Sequence, residues 1–213
     1  MNTEIELLAP AGSLEKLKMA LVYGADAVYM GGEAYGLRAH AENFSFDEMR
    51  EGIDFAHNMG KKVYLTMNIF PHNSDLYGME EYLTSVEKLG IDAIILSDPG
   101  VYSIVKETIP GMHIHLSTQA NNTNWKSAEF WYKQGVQRIV LARELSLEEI
   151  SLIRKKVPEA LELEVFIHGA MCISYSGRCL LSNYMTGRDS NRGSCAHPCR
   201  WKYHLVEEKR PGE

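Results

Sequence analysis

Four cysteines, Cys172, Cys179, Cys195 and Cys199, are the only thiols in a chain of 213 residues. Their spacing is C-x6-C, C-x15-C and C-x3-C. Four thiolates is the ligand count of an iron–sulfur cluster or of a structural zinc. Zinc sites favour two short C-x2–4-C pairs, and only Cys195 and Cys199 form one. Wide, irregular spacing suits a cluster whose ligands arrive from separate loops. Small residues in the same stretch, Gly169, Ala170, Gly177, Gly193 and Ala196, let backbone N–H groups approach cluster sulfurs. Zinc, redox or nucleophilic thiols and plain burial stay open beside the cluster, as does a histidine ligand, His168 or His197. A nucleophilic pair with His168 leaves three thiols without a role.

Charge singles out the same stretch. The chain carries −6 overall. Between residues 178 and 202, however, Arg178, Arg188, Arg192, Arg200 and Lys202 face only Asp189, a local balance of +4. A basic island in an acidic protein marks a place for an anionic partner, or else a solvated loop. No apolar run approaches 18 residues, and "MNTEIELLAP" lacks the basic flank and apolar core of a signal peptide. The expected location is cytoplasmic, without a membrane partner. Thiols stay reduced there, which favours metal or catalysis over disulfides.

Something rigid must bring these groups together. A unit recurs along the chain: a helix-like stretch closes on Gly, and a short β-branched run follows. It is seen in "YGADAVYMGG", "MGKKVYLTMN", "LGIDAIILSD", "PGMHIHLSTQ" and "QGVQRIVLAR", at Gly24, Gly60, Gly90, Gly111 and Gly135. Continuously apolar runs such as "AIIL" read as buried parallel strands. Between them, "SLEKLKMALVYG" aligns Leu14, Leu17 and Leu21 on one face. "SLEEISLIRKKVP" opens with a capping box, Ser146 and Glu149, and carries Ile150, Ile153 and Val157 as its apolar stripe. With "IELLAPAG" first and "LEVFIHG" seventh, seven strands alternate with six helices. The expected class is α/β, a (β/α)₈ TIM-barrel-like fold over residues 1–170, its eighth strand missing or replaced. Residues 171–213 are expected to form a cysteine-rich loop region and the start of a C-terminal extension, with "WKYHLV" as one more extended piece. The length reads as a fragment of a longer protein. A doubly wound sheet is the alternative, although nothing marks a reversal of strand order.

In barrels chemistry gathers at the carboxyl ends of the strands. Asn68, Gln119, Arg143 and His168 follow apolar runs there, and Arg38 sits in the long second loop. With Arg178, Arg188 and Arg192 they are the substrate-binding candidates. Asp98 reads equally well as a helix cap. Catalytic roles are not assigned. H-E-x-x-H, G-x-S-x-G, Walker and G-x-G-x-x-G patterns are all missing.

The stretch "EVFIHGAMCISYSGRCLLS", Glu164 to Ser182, resembles the signature of the collagenase-like peptidase family. The likeness extends to "LLAPAGSLEKLKMAL", "YGADAVYMGG", "SDPG", "HLSTQAN", "VLARELSLEEI" and "NRGSCAHPCR", essentially the whole chain. The resemblance implies a barrel, in proteins that are typically longer. It implies RNA hydroxylation, closest to the branch that makes 5-hydroxyuridine at the tRNA wobble position, with a prephenate-like carboxylic acid as hydroxyl source. A second branch acts on a cytidine of ribosomal RNA, and a third works in oxygen-independent ubiquinone hydroxylation. It also implies a four-iron four-sulfur cluster on Cys172, Cys179, Cys195 and Cys199. The family name itself implies the rival activity, peptide hydrolysis.

Overall fold

A computed structural model describes residues 5–35 and 43–210. Seven parallel strands form one sheet in sequential order: β1 (Leu8–Pro10), β2 (Ala27–Met30), β3 (Lys62–Met67), β4 (Ala93–Leu96), β5 (His113–Leu116), β6 (Arg138–Val140) and β7 (Glu162–Glu164). Six helices connect them: α1 (Leu14–Val22), α2 (Phe46–Asn58), α3 (Met79–Leu89), α4 (Pro99–Thr108), α5 (Trp125–Lys133) and α6 (Leu147–Lys156). A seventh, α7 (Leu181–Thr186), lies in the cysteine segment. Sequential order without reversal is that of a curled, TIM-barrel-like sheet and excludes the doubly wound alternative.

Alternation along each strand sorts side chains into two layers. Outward residues such as Val28, Val63, Leu65, Ile94, Leu96, Ile114 and Ile139 are fully buried against α1–α6, where Leu17, Leu83 and Val105 meet them. Inward residues Ala27, Tyr64, Ala93 and Ile95 form a separate small core inside the curl, with Leu8 and Tyr29 beside it. Deeper in, the interior turns polar. Thr66, Ile95, His115, Arg138 and Glu162 stand side by side across β3 to β7. The Arg138 guanidinium bonds Glu6, just before β1, at 2.5 Å and Glu162 on β7 at 2.6 Å. A residue of β6 that reaches the approach to β1 shows how far the sheet curls.

The helix boundaries follow their predicted signals. Ser45 with Glu48 and Ser146 with Glu149 form complete capping boxes. Asp98 accepts from the Gly100 and Val101 amides, so it caps α4 and is not a free site group. Gly90 ends α3 in the left-handed conformation at φ 87°. Gly111 has no positive φ, because α4 stops at the Ile109–Pro110 step before it.

Two strand expectations need correction. The seventh strand is only Glu162–Glu164, since its last bond to β6 is Leu141 N–H to Glu164 O. Beyond it Val165, Phe166 and Ile167 are exposed and carry no strand, because β6 has turned away and no partner continues the ladder. "WKYHLV" likewise forms no strand, and Leu205 is 97% exposed. Among the described residues no helix is long and apolar enough to cross a membrane.

Candidate functional site at the barrel mouth

A cavity of about 360 Å³ opens at the carboxyl ends of the strands. Its floor is set by Tyr29, Thr66, Ile95, Val140 and Glu164, its wall by Asn68, Ser117, Gln119 and Arg143. Its roof is the cysteine segment, and all four cysteines line it. Cys172 and Cys199 are exposed, Cys179 and Cys195 half-buried, and none is in a disulfide.

Side-chain clips hold that roof where strands do not. Arg143, at the end of β6, donates to Ala170 O at 2.8 Å and to Ser176 Oγ at 2.7 Å. Asn121, left-handed at φ 52°, donates to Ser176 O at 2.9 Å and accepts from Arg178 Nε at 2.7 Å. Arg192 grips Asp75 with both terminal nitrogens, at 2.5 and 2.9 Å, and its backbone neighbour Asn191 accepts from the Phe70 amide. Gly177, at φ +75°, lies so close to Phe70 that a Cβ would stand 2.8 Å from its ring. Within the segment, Ser182 Oγ donates to Arg188 O and accepts from the Ala196 amide, while Ser190 Oγ donates to Cys179 O. The loops bearing Cys179 and Cys195 are thereby tied to one another.

The candidates thus divide. Asn68, Gln119 and Arg143 line the cavity. Arg178 and Arg192 spend their charge or their Nε on fastening the roof, and Arg188 is exposed away from the cavity. His168 is exposed and does not line it, since β7 ends four residues earlier. Arg38 lies outside the described residues.

Glu164 is the cavity residue that the sequence did not single out. Burial pushes its carboxyl above the ordinary carboxylate range; Arg138 opposes this and Glu6 reinforces it. Below it, burial and the Arg138 charge push His115 down to about 3, so its imidazole is neutral. A signal for Glu164 existed: two acids at i and i+2, Glu162 and Glu164, occupy one face of a strand whose other residue, Leu163, packs toward the helices. Acids facing a barrel interior require a buried cation, and "QRIVLAR" offers one on the preceding strand.

The donor set suits a cluster in kind and number: four thiols face one cavity, and the His197 amide points at Cys195 Sγ from 3.4 Å, the backbone bond that cluster sulfurs accept. Among the described residues no three His, Cys, Asp or Glu side chains are gathered as one metal's ligands. Drawing the sulfurs together requires movement of loops that side-chain clips and the Phe70 N–H to Asn191 O bond attach to the barrel.

Comparison with known proteins places these features in a family. Residues 12–213 match the model of peptidase family U32. The chain is 52% identical over 202 residues to tRNA hydroxylation protein P1 of Bacillus subtilis, covering 95% of this chain and 47% of that protein. It is 50% identical over 204 residues to tRNA hydroxylation protein P of Escherichia coli, covering 96% and 45%. A U32 peptidase of known structure superposes with a TM-score of 0.64 at 18% identity, over 78% of this chain and 69% of the other, and supports the fold. The chain spans about half the length of the curated relatives it matches. It belongs to peptidase family U32.

Proposed function

We propose that this chain forms the cavity-bearing part of an enzyme that hydroxylates tRNA, with the wobble uridine as target and 5-hydroxyuridine as product. The observation that carries the reading is its identity of about half to proteins named for tRNA hydroxylation, across nearly the whole chain. Cys172, Cys179, Cys195 and Cys199 would hold a four-iron four-sulfur cluster over the cavity. When bound, the cluster supplies one-electron chemistry. A small prephenate-like acid, as source of the hydroxyl, would enter the cavity, where Arg143 Nε is a buried donor with no protein partner among the described residues. Asn68 and Gln119 would orient it, and the roof would exclude water. Arg200, exposed at the cavity's lining, and the exposed Lys202 would meet RNA phosphates.

The family's name favours a second reading, peptide hydrolysis. The two separate cleanly. In the full-length protein, alanine at each of the four cysteines should abolish iron binding and cellular 5-hydroxyuridine alike, and double variants should add little. A thiol protease predicts one dead variant and three near-normal ones, with the pH profile of a thiolate paired to a base. Structural zinc predicts a colourless protein and four variants that lose melting temperature together. Normal 5-hydroxyuridine in any well-expressed cysteine variant sinks the proposal.

A further inference from the structure

We infer that Glu164 contacts the occupant of the cavity, accepting a hydrogen bond from an O–H or N–H group that the occupant carries. The inference deepens the reading above and rests on it. Three carboxylates surround one guanidinium, and two are enough to satisfy it. Arg138 bonds Glu6 through Nη1 and Glu162 through Nε, with Nη2 also 2.6 Å from Glu162. Glu164 Oε2 is left 3.5 Å from Nη1, close enough to feel the charge and without a well-formed hydrogen bond. A buried carboxylate oxygen without a bond is costly, and a purely structural ion pair would have closed that gap.

The other orphaned atoms point the same way. Among the described residues six buried side-chain atoms have no partner, and three of these, on Asn68, Arg143 and Glu164, belong to residues that line this cavity. They come from the ends of β3, β6 and β7. Two are acceptors, Asn68 Oδ1 and the Glu164 carboxyl, and one is a donor, Arg143 Nε. The complementary ligand brings a donor to Glu164 and an acceptor to Arg143. A hydroxy acid does this with O–H and carboxylate, and a uracil base does it with imide N–H and carbonyl. Glu162 provides the contrast. It shares strand and guanidinium with Glu164, but its side chain is 57% exposed and does not line the cavity.

The test uses the full-length protein as wild type, Glu164→Gln, Glu164→Asp and Glu162→Gln. Probes are prephenate, by calorimetric titration, and an unmodified tRNA transcript, by filter binding. Beside Arg138 a glutamine must turn its NH₂ either to the guanidinium or to the ligand's donor, and both are repulsive. Glu164→Gln should weaken one probe at least tenfold at unchanged iron content, while Glu162→Gln stays within twofold. The probe that weakens identifies the source of the donor. Glu164→Asp keeps the charge on Arg138 and withdraws the carboxyl by roughly 1.5 Å. It should fold normally and weaken the same probe, so it decides the matter should the glutamine variant misfold. Wild-type affinity for both probes in Glu164→Asp or in folded Glu164→Gln overturns the inference, as do equal losses in Glu162→Gln and failure of wild type to bind either probe. Failure of wild type to restore 5-hydroxyuridine in deletion cells instead overturns the hydroxylation reading, whatever the affinities.

Discussion

The barrel and the cysteine segment solve the same problem, fixing a chain in place, by different means. From β1 to β7 the fixing is done by ladders and by apolar burial: Leu17, Leu83, Ile94 and Leu96 have no exposed surface. From residue 165 onward it is done by four clips, centred on Arg143, Asn121, Arg192 and Gly177. In that segment Ile167 is 82% exposed, Ile173 78% and Leu180 69%. Burial of a whole aliphatic side chain is worth about 1.5–3 kcal/mol, whereas a hydrogen bond at a half-open surface nets about 1. The barrel therefore holds its shape by itself, and the segment is held only against it. A scaffold that does not yield and a roof that can are what a site needs to admit a ligand and then enclose it.

Perturbing each region should expose that asymmetry. The largest effect belongs to the barrel wall. Leu96→Ala removes a fully buried side chain between β4 and the helices and should cost about 2–5 kcal/mol in urea unfolding. A loss below 1 kcal/mol would mean the barrel is no better packed than its roof.

Second is the interior histidine. His115, neutral and held down to about 3, lies edge-on to Tyr64 at 4.6 Å between ring centres. Its folded pKa is depressed, so the unfolded chain takes a proton that the folded chain refuses. That stability is fully present above about 6.5 and drains away as pH falls toward about 3. His115→Phe should flatten the fall of melting temperature across that window; an identical slope in both proteins would show that the imidazole is hydrated.

Third, Gly177→Val should free the roof without touching the barrel. The new methyl groups meet Phe70, and φ +75° costs a branched residue about 1–2 kcal/mol or more. Limited proteolysis should speed up within residues 170–200 while global unfolding shifts little. Equal shifts of both would make the segment part of the barrel's cooperative unit.

The smallest effect is expected of the Arg192–Asp75 clip. Its coupling energy in a double-mutant cycle should be about 1 kcal/mol, since Arg192 keeps 31% and Asp75 19% of the side-chain surface open to screening water. Arg192 holds the Asp75 carboxyl down at about 2. The clip is complete above the ordinary aspartate pKa near 4 and is lost as pH falls toward about 2. Faster cleavage of the roof in acid, removed by Asp75→Asn, is the outcome to look for.

The same asymmetry governed what could be read from residues alone. Barrel elements announce themselves through local rules. A β-branched run before a polar end means a strand, and the Ser146–Glu149 box starts α6 where it was expected. The overlong seventh strand shows where those rules stop. "VFI" has the composition of a strand, but a strand needs a neighbour, and pairing is not a local property. Arginines show the same limit at the site. Arg178 and Arg192 looked like anion ligands because their type is right, whereas their partners, Asn121 and Asp75, lie 57 and 117 residues away. Asn68, Gln119 and Arg143 were legible because a barrel converts position at a strand end into position at the mouth. Glu164 was passed over although the Glu162–Glu164 alternation pointed inward, because only the curl of the sheet brings Arg138 and Glu6 to it.

That guanidinium has a consequence for the order in which the molecule forms. Arg138 and Glu6 are 132 residues apart, and their bond joins the approach to the first strand to the sixth. It closes a long loop, so its closure entropy is high and it forms late. A nascent chain can stack β1 to β4 with their helices while still emerging. Until β6 has been made, the partners of Glu6 are Lys62 and the Tyr64 hydroxyl, both on β3, and its bond to Arg138 must wait. Arrival of the sixth strand is thus signalled at the polar floor, directly beneath the cavity, where the Glu6 carboxylate gains Arg138 as a partner.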